Sequence, residues 1–407
     1  MKIKLGVIFG GESVEHEVSI ISAMQAMNKL DQDKYDIIPI YITKNNEWYT
    51  GDMLKDIEVY QDLSLIKKYA KNVVLYKYKD RFVLQKKGFF KKIICDLDIV
   101  FPIVHGTNVE DGVLQGYLQS IGIPFVGSNV YASVVGQDKC YMKDIWKNAG
   151  IPMTKYVWFY DSDYKRDNEE IIERVSKLSY PVIVKPATTG SSVGISVADS
   201  EEELVDSIDE ALQYDSKILV EEVVQNLKEV NIAVMGNYEF QKVSEIEEVL
   251  SAHKFLTFND KYIGGGKGKL KGAKIPVKGS SKGMASTNRK LPADLDDKLR
   301  NEVEEIAVKA FKALGTSGNS RIDFLIDSKS NKVYINEINS IPGSLAFYLW
   351  DAKGIKFTEM LDEMINIGIK DYKKRVSKTH SFDSNILQGF TANQGVKGVK
   401  GIKGKLR

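Results

Sequence analysis

Apolar and polar residues follow two different periods along the chain. "IKLGVIFGG" is a short apolar run closed by glycines, and "ESVEHEVSIISAMQAMNKL" after it carries apolar residues at helical spacing. "YDIIPIYIT" and "DIVFPIVHG" read as further buried strands. Strands that alternate with helical patterns predict a parallel sheet with βα crossovers over residues 1–138. Residues 46–93 interrupt that scheme, and "EWYTGDM", "NVVLYKY" and "RFVLQKK" predict short antiparallel strands inserted into it. "DKCYMKDIWKNAGIPMTKYVWF" predicts a helix with Gly150 at its end, Pro152 beyond it and a strand after that.

A second unit follows. "YPVIVKP" is a strand, "ATTGSSVG" a glycine-serine loop and "GISVADS" another strand. "SEEELVDSIDEALQYD" predicts an amphipathic helix capped by Ser200, with acids in its first turn. "KILVEEVV" is again a strand. Beyond "EVNIAVMGN", residues 254–290 hold "GGGKGKLKG" and "KGSSKGM", which predict mobile loops. "DLDDKLRNEVEEIAVKAFKALG" predicts a long helix, "RIDFLID" and "KVYINEIN" two strands, and "FTEMLDEMINIGIKDY" a last helix. The end, "GVKGVKGIKGKLR", is basic and glycine-spaced.

Composition narrows the class. At 407 residues the chain exceeds one typical core, so two or three domains are expected. A hydrophobic fraction of 43% and a charged fraction of 28% are ordinary for soluble globular protein. The net charge of +2 calls for no acidic partner. Two cysteines, Cys95 and Cys140, imply packing and no disulfide framework, which suits a reducing cytoplasm. No apolar run approaches the ~20 residues that cross a bilayer, so membrane insertion is not expected.

Glu337 and Asn339 stand two apart on a strand and share a face, with Asn336 and Ile338 turned the other way. If "RIDFLID" pairs with that strand across "SKSN", Asp323 joins them. Two carboxylates and an amide suit Mg²⁺ completed by phosphate oxygens, while the plainer alternative is a polar strand end. Lys185 before "ATTGSSVG" fits a backbone cradle for phosphate with an ammonium beside it, although on spacing alone an ordinary hairpin turn is favoured. "GVIFGGES" lacks the G-x-G-x-x-G spacing of a dinucleotide site. Glu15 and His16 still stand where a small ligand binds, beside a glycine turn at a strand end. His105 ends another strand, without companions at triad or metal spacing.

In their order, "GGESVEHEVS", "HGTNVEDGVLQGYL", "IPFVGS", "DKCYMK", "AGIP", "PVIVKPATTGSSVGIS", "ILVEEVV", "FNDKY", "SRIDFLID" and "INEINSIPG" resemble the D-alanine–D-alanine ligase family of ATP-grasp enzymes. The resemblance runs from residue 4 to about 366. It implies a three-domain α/β ATP-grasp architecture: a parallel-sheet N-terminal domain (1–138), a central ATP-grasp domain (139–223), a C-terminal domain with metal site and lid (224–372), and a flexible basic tail (373–407). It implies an ADP-forming ligase that joins two D-amino acids through an acyl phosphate for peptidoglycan precursors. ATP is then a co-substrate, two Mg²⁺ ions (or Mn²⁺) are the cofactors, and a homodimer is compatible with the family.

Site residues carry over position by position. Asp323, Glu337 and Asn339 match the metal ligands. Lys139, Lys185, Ser191 and Ser192 match the phosphate-binding groups. Glu221 with its strand and Val224 match the adenine-binding hinge, and Glu229 the ribose-binding acid. Glu15 matches the carboxylate that holds the first substrate's ammonium, with His105 close by. Lys261 and Tyr262 match the lid. Arg321 and the Gly343 N–H match the groups around the oxyanion, and Ser191 counts with Glu15 among the catalytic set.

Two departures touch the acceptor side. Five residues after "PG", where the family commonly places a small hydroxyl side chain, this chain has Tyr348, although Ser344 could grip a carboxylate from another angle. The lid reads Thr257-Phe258-Asn259 before Asp260, where the family usually has more acids and tyrosines. A ligase for a different dipeptide or depsipeptide is therefore the alternative, and a non-catalytic nucleotide-binding regulator a further one. Glycine-spaced lysines without aromatics give only salt-sensitive attraction, so no specific nucleic-acid partner is expected.

Overall fold

The computed structural model describes residues 2–190, 193–250 and 289–381. Ser191, Ser192, Lys261 and Tyr262, nearly all of the expected loop region 254–290, and the tail from residue 382 lie outside the described residues.

Three sheets carry the chain. The first contains β1 (Ile3–Gly10), β2 (Tyr35–Ile42), β3 (Trp48–Thr50), β4 (Lys71–Tyr78), β5 (Arg81–Lys86), β6 (Ile93–Leu97) and β7 (Ile99–Pro102), in the order β6-β5-β4-β3-β2-β1-β7. β1 pairs in parallel with β2 and β7, and the helix His16–Met27 makes the crossover from β1 to β2. The last six residues of β1 are all buried, as expected of a central parallel strand.

The sheet is mixed: β1, β2 and β7 are parallel, and the antiparallel strands expected in 46–93 are present. The stretch 46–93 forms no separate insert; it extends the same sheet by antiparallel strands on the β2 side. The links β2–β3, β4–β5 and β5–β6 are too short for the crossover of a dozen residues that a parallel partner needs. β4 and β5 are joined by Lys79-Asp80 alone, with Lys79 at φ 55°.

The second sheet, order β10-β9-β11-β8, is antiparallel: β8 (Tyr156–Tyr160), β9 (Val182–Pro186), β10 (Ser196–Ala198) and β11 (Lys217–Glu222). Its core takes Leu204 and Ile208 from the helix Glu201–Ala211, which Ser200 caps through the Glu203 N–H.

The third sheet is antiparallel in the order β14-β13-β12-β15-β16: β12 (Leu227–Gly236), β13 (Gln241–Val249), β14 (Arg289–Lys290), β15 (Gly318–Asp327) and β16 (Lys332–Asn339). One face buries Val230, Ile232, Ile322 and Phe324 against the helix Asp297–Ala313. The helix Lys139–Asn148 joins that core through Met142 and Trp146, whose indole N–H donates to the Ala310 carbonyl at 3.2 Å.

The helices Phe347–Ala352 and Phe357–Val376 pack into the core of the first sheet, with Trp350 and Leu361 among its buried residues. The Trp350 indole also donates to Asn319 on β15 at 2.8 Å, so this segment welds the first sheet to the third. No helix among the described residues is long and apolar enough to cross a membrane.

Candidate active site

Alternation along the strands of the third sheet sends polar residues to the face away from the helix Asp297–Ala313. Glu247 on β13 faces Asn231 on β12, Asn231 faces Asp323 on β15, and Asp323 faces Glu337 on β16. These side chains form one row across four strands, and two register steps along β15 and β16 Arg321 faces Asn339.

A bulge lies in this row, where the register shifts between Asp323 and Phe324. Asn336 is the additional residue. The bulge cancels the simple alternation that would turn Asn336 away from Glu337. Its amide oxygen instead accepts from the Lys185 ammonium at 3.3 Å, and both residues line the cavity.

Arg321 donates to both oxygens of Asp323, Nε to Oδ1 at 2.6 Å and Nη2 to Oδ2 at 2.7 Å, and the Asn339 amide donates to Oδ2 at 3.2 Å. Burial works against the guanidinium's charge, but the Asp323 carboxylate outweighs it and raises the pKa of Arg321 well above its ordinary value. A carboxylate oxygen has two lone pairs, so Asp323 can hold Arg321 and still ligate a cation. With Glu337 opposite and the Asn339 amide beside it, the set consists of hard oxygens and fits Mg²⁺. Among the described residues no group of three His, Cys, Asp or Glu side chains could hold a metal ion, so any Mg²⁺ here takes at most two protein carboxylates, with the Asn339 amide and phosphate oxygens to complete its shell.

Lys185 leaves β9 toward the same cavity. Its ammonium pairs with Glu221, whose other oxygen lies 2.8 Å from the Lys143 ammonium and accepts from the Thr154 hydroxyl at 2.7 Å. Burial penalises the Glu221 carboxylate, yet the two lysines outweigh that and hold its pKa well below the usual carboxylate range. The side chain of Glu221 is thus an anchor for lysines, while Val223 and Val224 after it line the cavity. Glu229, on β12, lines it too. Lys139 donates to the Thr189 carbonyl at 2.7 Å, which ties its helix to the glycine loop. That loop does join two antiparallel strands, β9 and β10.

Gly10 and Gly11, both at positive φ, turn the chain after β1; a Cβ on Gly10 would lie 2.2 Å from the Ile42 carbonyl oxygen. The turn sets Glu15 at the head of the helix His16–Met27 with its carboxylate against Gly190, where a Cβ would approach it to 2.9 Å. His16 points the other way. Its Nδ1–H donates to the Gly11 carbonyl at 2.6 Å and Nε2 accepts from Tyr41 at 2.9 Å, so this buried ring serves the turn and is not part of the lining of the cavity that Glu15 enters, against the expectation from its position. Burial lowers its pKa.

His105 is buried too, its Nε2 3.0 Å from the Ser22 hydroxyl, and it lines the cavity. Burial lowers its pKa, with the nearby Glu15 charge acting in opposition. Beside it lies Glu110, which sequence reasoning passed over although it stands inside "HGTNVEDG". It accepts from the N–H groups of Gly106 (3.1 Å) and Ile341 (2.9 Å) and from the Ser340 hydroxyl (3.1 Å). Burial and the Glu15 charge push its pKa up to about 7.

Gly343 begins a turn in which Ser344, Leu345 and Ala346 all take left-handed φ of 52°, 53° and 48°. Three such non-glycine residues in succession are held only by tertiary contacts. Ser344 is buried, with its N–H donating to Ser22 at 2.9 Å. Tyr348 lines the cavity, and its hydroxyl donates to Glu247 at 2.8 Å. Arg289 covers the Tyr348 ring at 4.2 Å and donates to the other Glu247 oxygen at 2.8 Å. Burial first, then the Glu247 charge, raises the pKa of Tyr348. Neither Glu247 nor Arg289 carried a motif, so only the fold reveals them.

One cavity of about 270 Å³ therefore receives Glu15, Lys185, Arg321, Asp323, Glu337 and Tyr348 from all three sheets and their helices. Its lining combines the Glu15 carboxylate, the lysines and a hard-oxygen cluster. That distribution suits a small zwitterion beside a metal-bound polyphosphate.

Known proteins share the whole frame. The family model for the D-ala D-ala ligase N-terminus matches residues 4–128, and the model for the D-ala D-ala ligase C-terminus matches residues 145–366. A D-alanine–D-alanine ligase of Thermosipho melanesiensis is 40% identical over 388 residues, covering 95% of this chain and 98% of its own. Among solved structures, the D-alanine–D-alanine ligase from Coxiella burnetii superposes with a TM-score of 0.75 at 29% identity, over 92% of this chain and 96% of that one. The VanG D-Ala:D-Ser ligase from Enterococcus faecalis gives 0.74 at 31% identity, over 90% of this chain and 100% of that one.

Proposed function

The chain belongs to the D-alanine–D-alanine ligase family, and we propose that it joins two D-alanine molecules at the expense of ATP, which leaves as ADP and phosphate. It is an ATP-dependent ligase of the kind that builds the peptidoglycan dipeptide. The observation that carries its chemistry is the convergence of Glu15, Lys185 and the Asp323–Glu337 pair on one cavity.

A carboxylate is a poor acylating agent. The first D-alanine, its ammonium held by Glu15 with His105 beside it, presents a carboxylate oxygen to the γ-phosphorus of ATP. The new P–O bond forms as the bond to ADP breaks, giving an acyl phosphate. Lys185 and Lys139 neutralise phosphate charge during that transfer, and Ser191 and Ser192 are assigned to the same task. Val224 and the backbone after Glu221 take the adenine, and Glu229 takes the ribose. Asp323, Glu337 and Asn339 would hold Mg²⁺, which, when bound, draws the phosphates together and screens their charge.

The second amine, once deprotonated, attacks the acyl carbon. Phosphate departs and the peptide bond remains. The Gly343 N–H and Arg321 stabilise the tetrahedral oxyanion between the two events. Lys261 and Tyr262 belong to the segment that would exclude water from the acyl phosphate. In this reading the units are 1–138, 139–223 and 224–372, with ATP between the last two. The basic tail, expected from 373, begins only after the helix that ends at Val376. A cytoplasmic location and a homodimer complete the expectation.

The Tyr348–Glu247–Arg289 group favours a second reading, in which the acceptor is another D-amino or D-hydroxy acid. In place of a small hydroxyl it offers a phenol ring fixed by a carboxylate and covered by a guanidinium. Tyr348 and Ser344 then bound the acceptor. Phosphate release from Mg·ATP, measured with D-alanine alone and with mixed pairs and followed by mass spectrometry of the products, separates the two. Dipeptide from D-alanine alone supports the first reading, and turnover only with a mixed pair supports the second.

A further inference from the structure

The turn that carries Gly343 is held from outside its own sheet. On its N-terminal side, Glu110 accepts from the Ser340 hydroxyl and the Ile341 N–H. The His105 ring lies beside Ser22, its Nε2 3.0 Å from that residue's hydroxyl. On its C-terminal side, Ser22 accepts from the Ser344 N–H. Glu110, His105 and Ser22 all come from the unit built on the first sheet, over 200 residues away in sequence, whereas Ser340–Ser344 continue β16 of the third. Gly343 lies between these attachment points, followed by three left-handed residues that would relax without them.

Glu110 is the centre of this clamp. It is buried, and its third bond, from the Gly106 N–H, fixes the residue next to His105. One carboxylate therefore joins the wall of the first-substrate site to the turn that ends the metal-bearing strand. A carboxylate is the side chain that can accept three hydrogen bonds at once without offering a donor of its own.

We propose that Glu110 is a positioning residue for the second half-reaction: through Ser340 and Ile341 it sets the direction of the Gly343 N–H toward the oxyanion, and through Gly106 it couples that direction to the occupied first-substrate site. The inference rests on the ligase reading above and adds a residue that lines the cavity and acts through the turn it holds.

The consequence is a split between the two half-reactions. At saturating D-alanine, phosphoryl transfer depends on the lysines and the metal cluster, with which Glu110 makes none of its three hydrogen bonds. Attack of the amine on the acyl carbon depends on the turn. A glutamine at 110 keeps the volume but replaces one acceptor oxygen with a donor, so a hydrogen bond to the turn or to Gly106 is lost. Misplacement of an oxyanion donor by about 1 Å costs on the order of 10²-fold in rate.

The test compares wild type and Glu110→Gln in two assays on full-length protein. Exchange of isotope between the bridging and non-bridging oxygens of labelled ATP, in the presence of D-alanine, reports reversible phosphoryl transfer alone. Dipeptide release reports both steps. Glu110→Gln is expected to lower dipeptide release by about 10- to 100-fold while exchange persists, so the ratio of exchange to turnover rises as the acyl phosphate partitions backward. Ser340→Ala, which removes a single donor to Glu110, should move the ratio in the same direction by less and serves if the first variant folds poorly. An unchanged ratio in the folded variants overturns the inference, whether both rates stay normal or both fall together. If wild type itself turns over no ATP with D-alanine, the ligase reading fails and takes this one with it.

Discussion

Arg321 grips Asp323 through both carboxylate oxygens, at 2.6 and 2.7 Å, from two positions away on the same strand. The guanidinium proposed for the oxyanion and the carboxylate proposed for the metal are therefore one unit. Removing either alone leaves the other buried without its counter-charge. Arg321→Ala and Asp323→Asn should each lower kcat by at least about 10²-fold, and the double variant should be little worse than either single one. Rates that multiply in the double variant would show that the two act separately.

Glu337 faces Asp323 across the hairpin and completes the hard-oxygen set. Glu337→Gln should abolish ATP turnover while the circular dichroism spectrum and thermal midpoint stay near those of wild type. Near-normal turnover would remove Glu337 from the metal site.

Glu15 meets the glycine loop at Gly190. Glu15→Gln should leave nucleotide binding intact, read by calorimetry, and raise KM for the first D-alanine by about 10-fold or more, the loss expected when a charge-assisted bond becomes a neutral one. An unchanged KM would move the ammonium site elsewhere.

Glu221 compensates two buried lysines, Lys143 and Lys185. Glu221→Leu should cost about 3–5 kcal/mol in denaturant unfolding, since two cations lose their partner. Because its pKa is depressed on folding, the stabilisation it gives is complete above its unfolded value of 4.5 and declines as pH falls below that value. A variant with the acid sensitivity of wild type would contradict this.

Glu110 has the opposite sign. Its pKa rises from 4.5 to about 7 on folding, so protonation favours the native state. Its contribution is present in full below pH 4.5 and disappears as pH rises through about 7. Unfolding free energy measured between pH 5 and pH 8 should fall more steeply for wild type than for Glu110→Gln, which cannot titrate. Identical slopes would assign the decline to other groups.

Much of this protein was legible in its sequence because local rules govern it. The period of the apolar residues separates strand from helix, Ser200 announces its helix, and "SKSN" between two strands announces the hairpin that brings Asp323 opposite Glu337. The ordered motifs identify the family, since each keeps its residues within one short stretch. Tertiary structure decided what local spacing cannot express. The bulge at Asn336 depends on the pairing of β15 with β16, so alternation alone turned that side chain the wrong way. His16 and Glu15 are neighbours at one helix start, yet packing against Tyr41 draws the first inward and leaves the second at the cavity. The grip of Glu110 on Ile341 closes a distance of 231 residues, and the partners of Glu247 come from three separate elements. Such contacts exist only once three sheets have packed together, because burial selects the partners of a polar side chain and burial is a property of the whole fold.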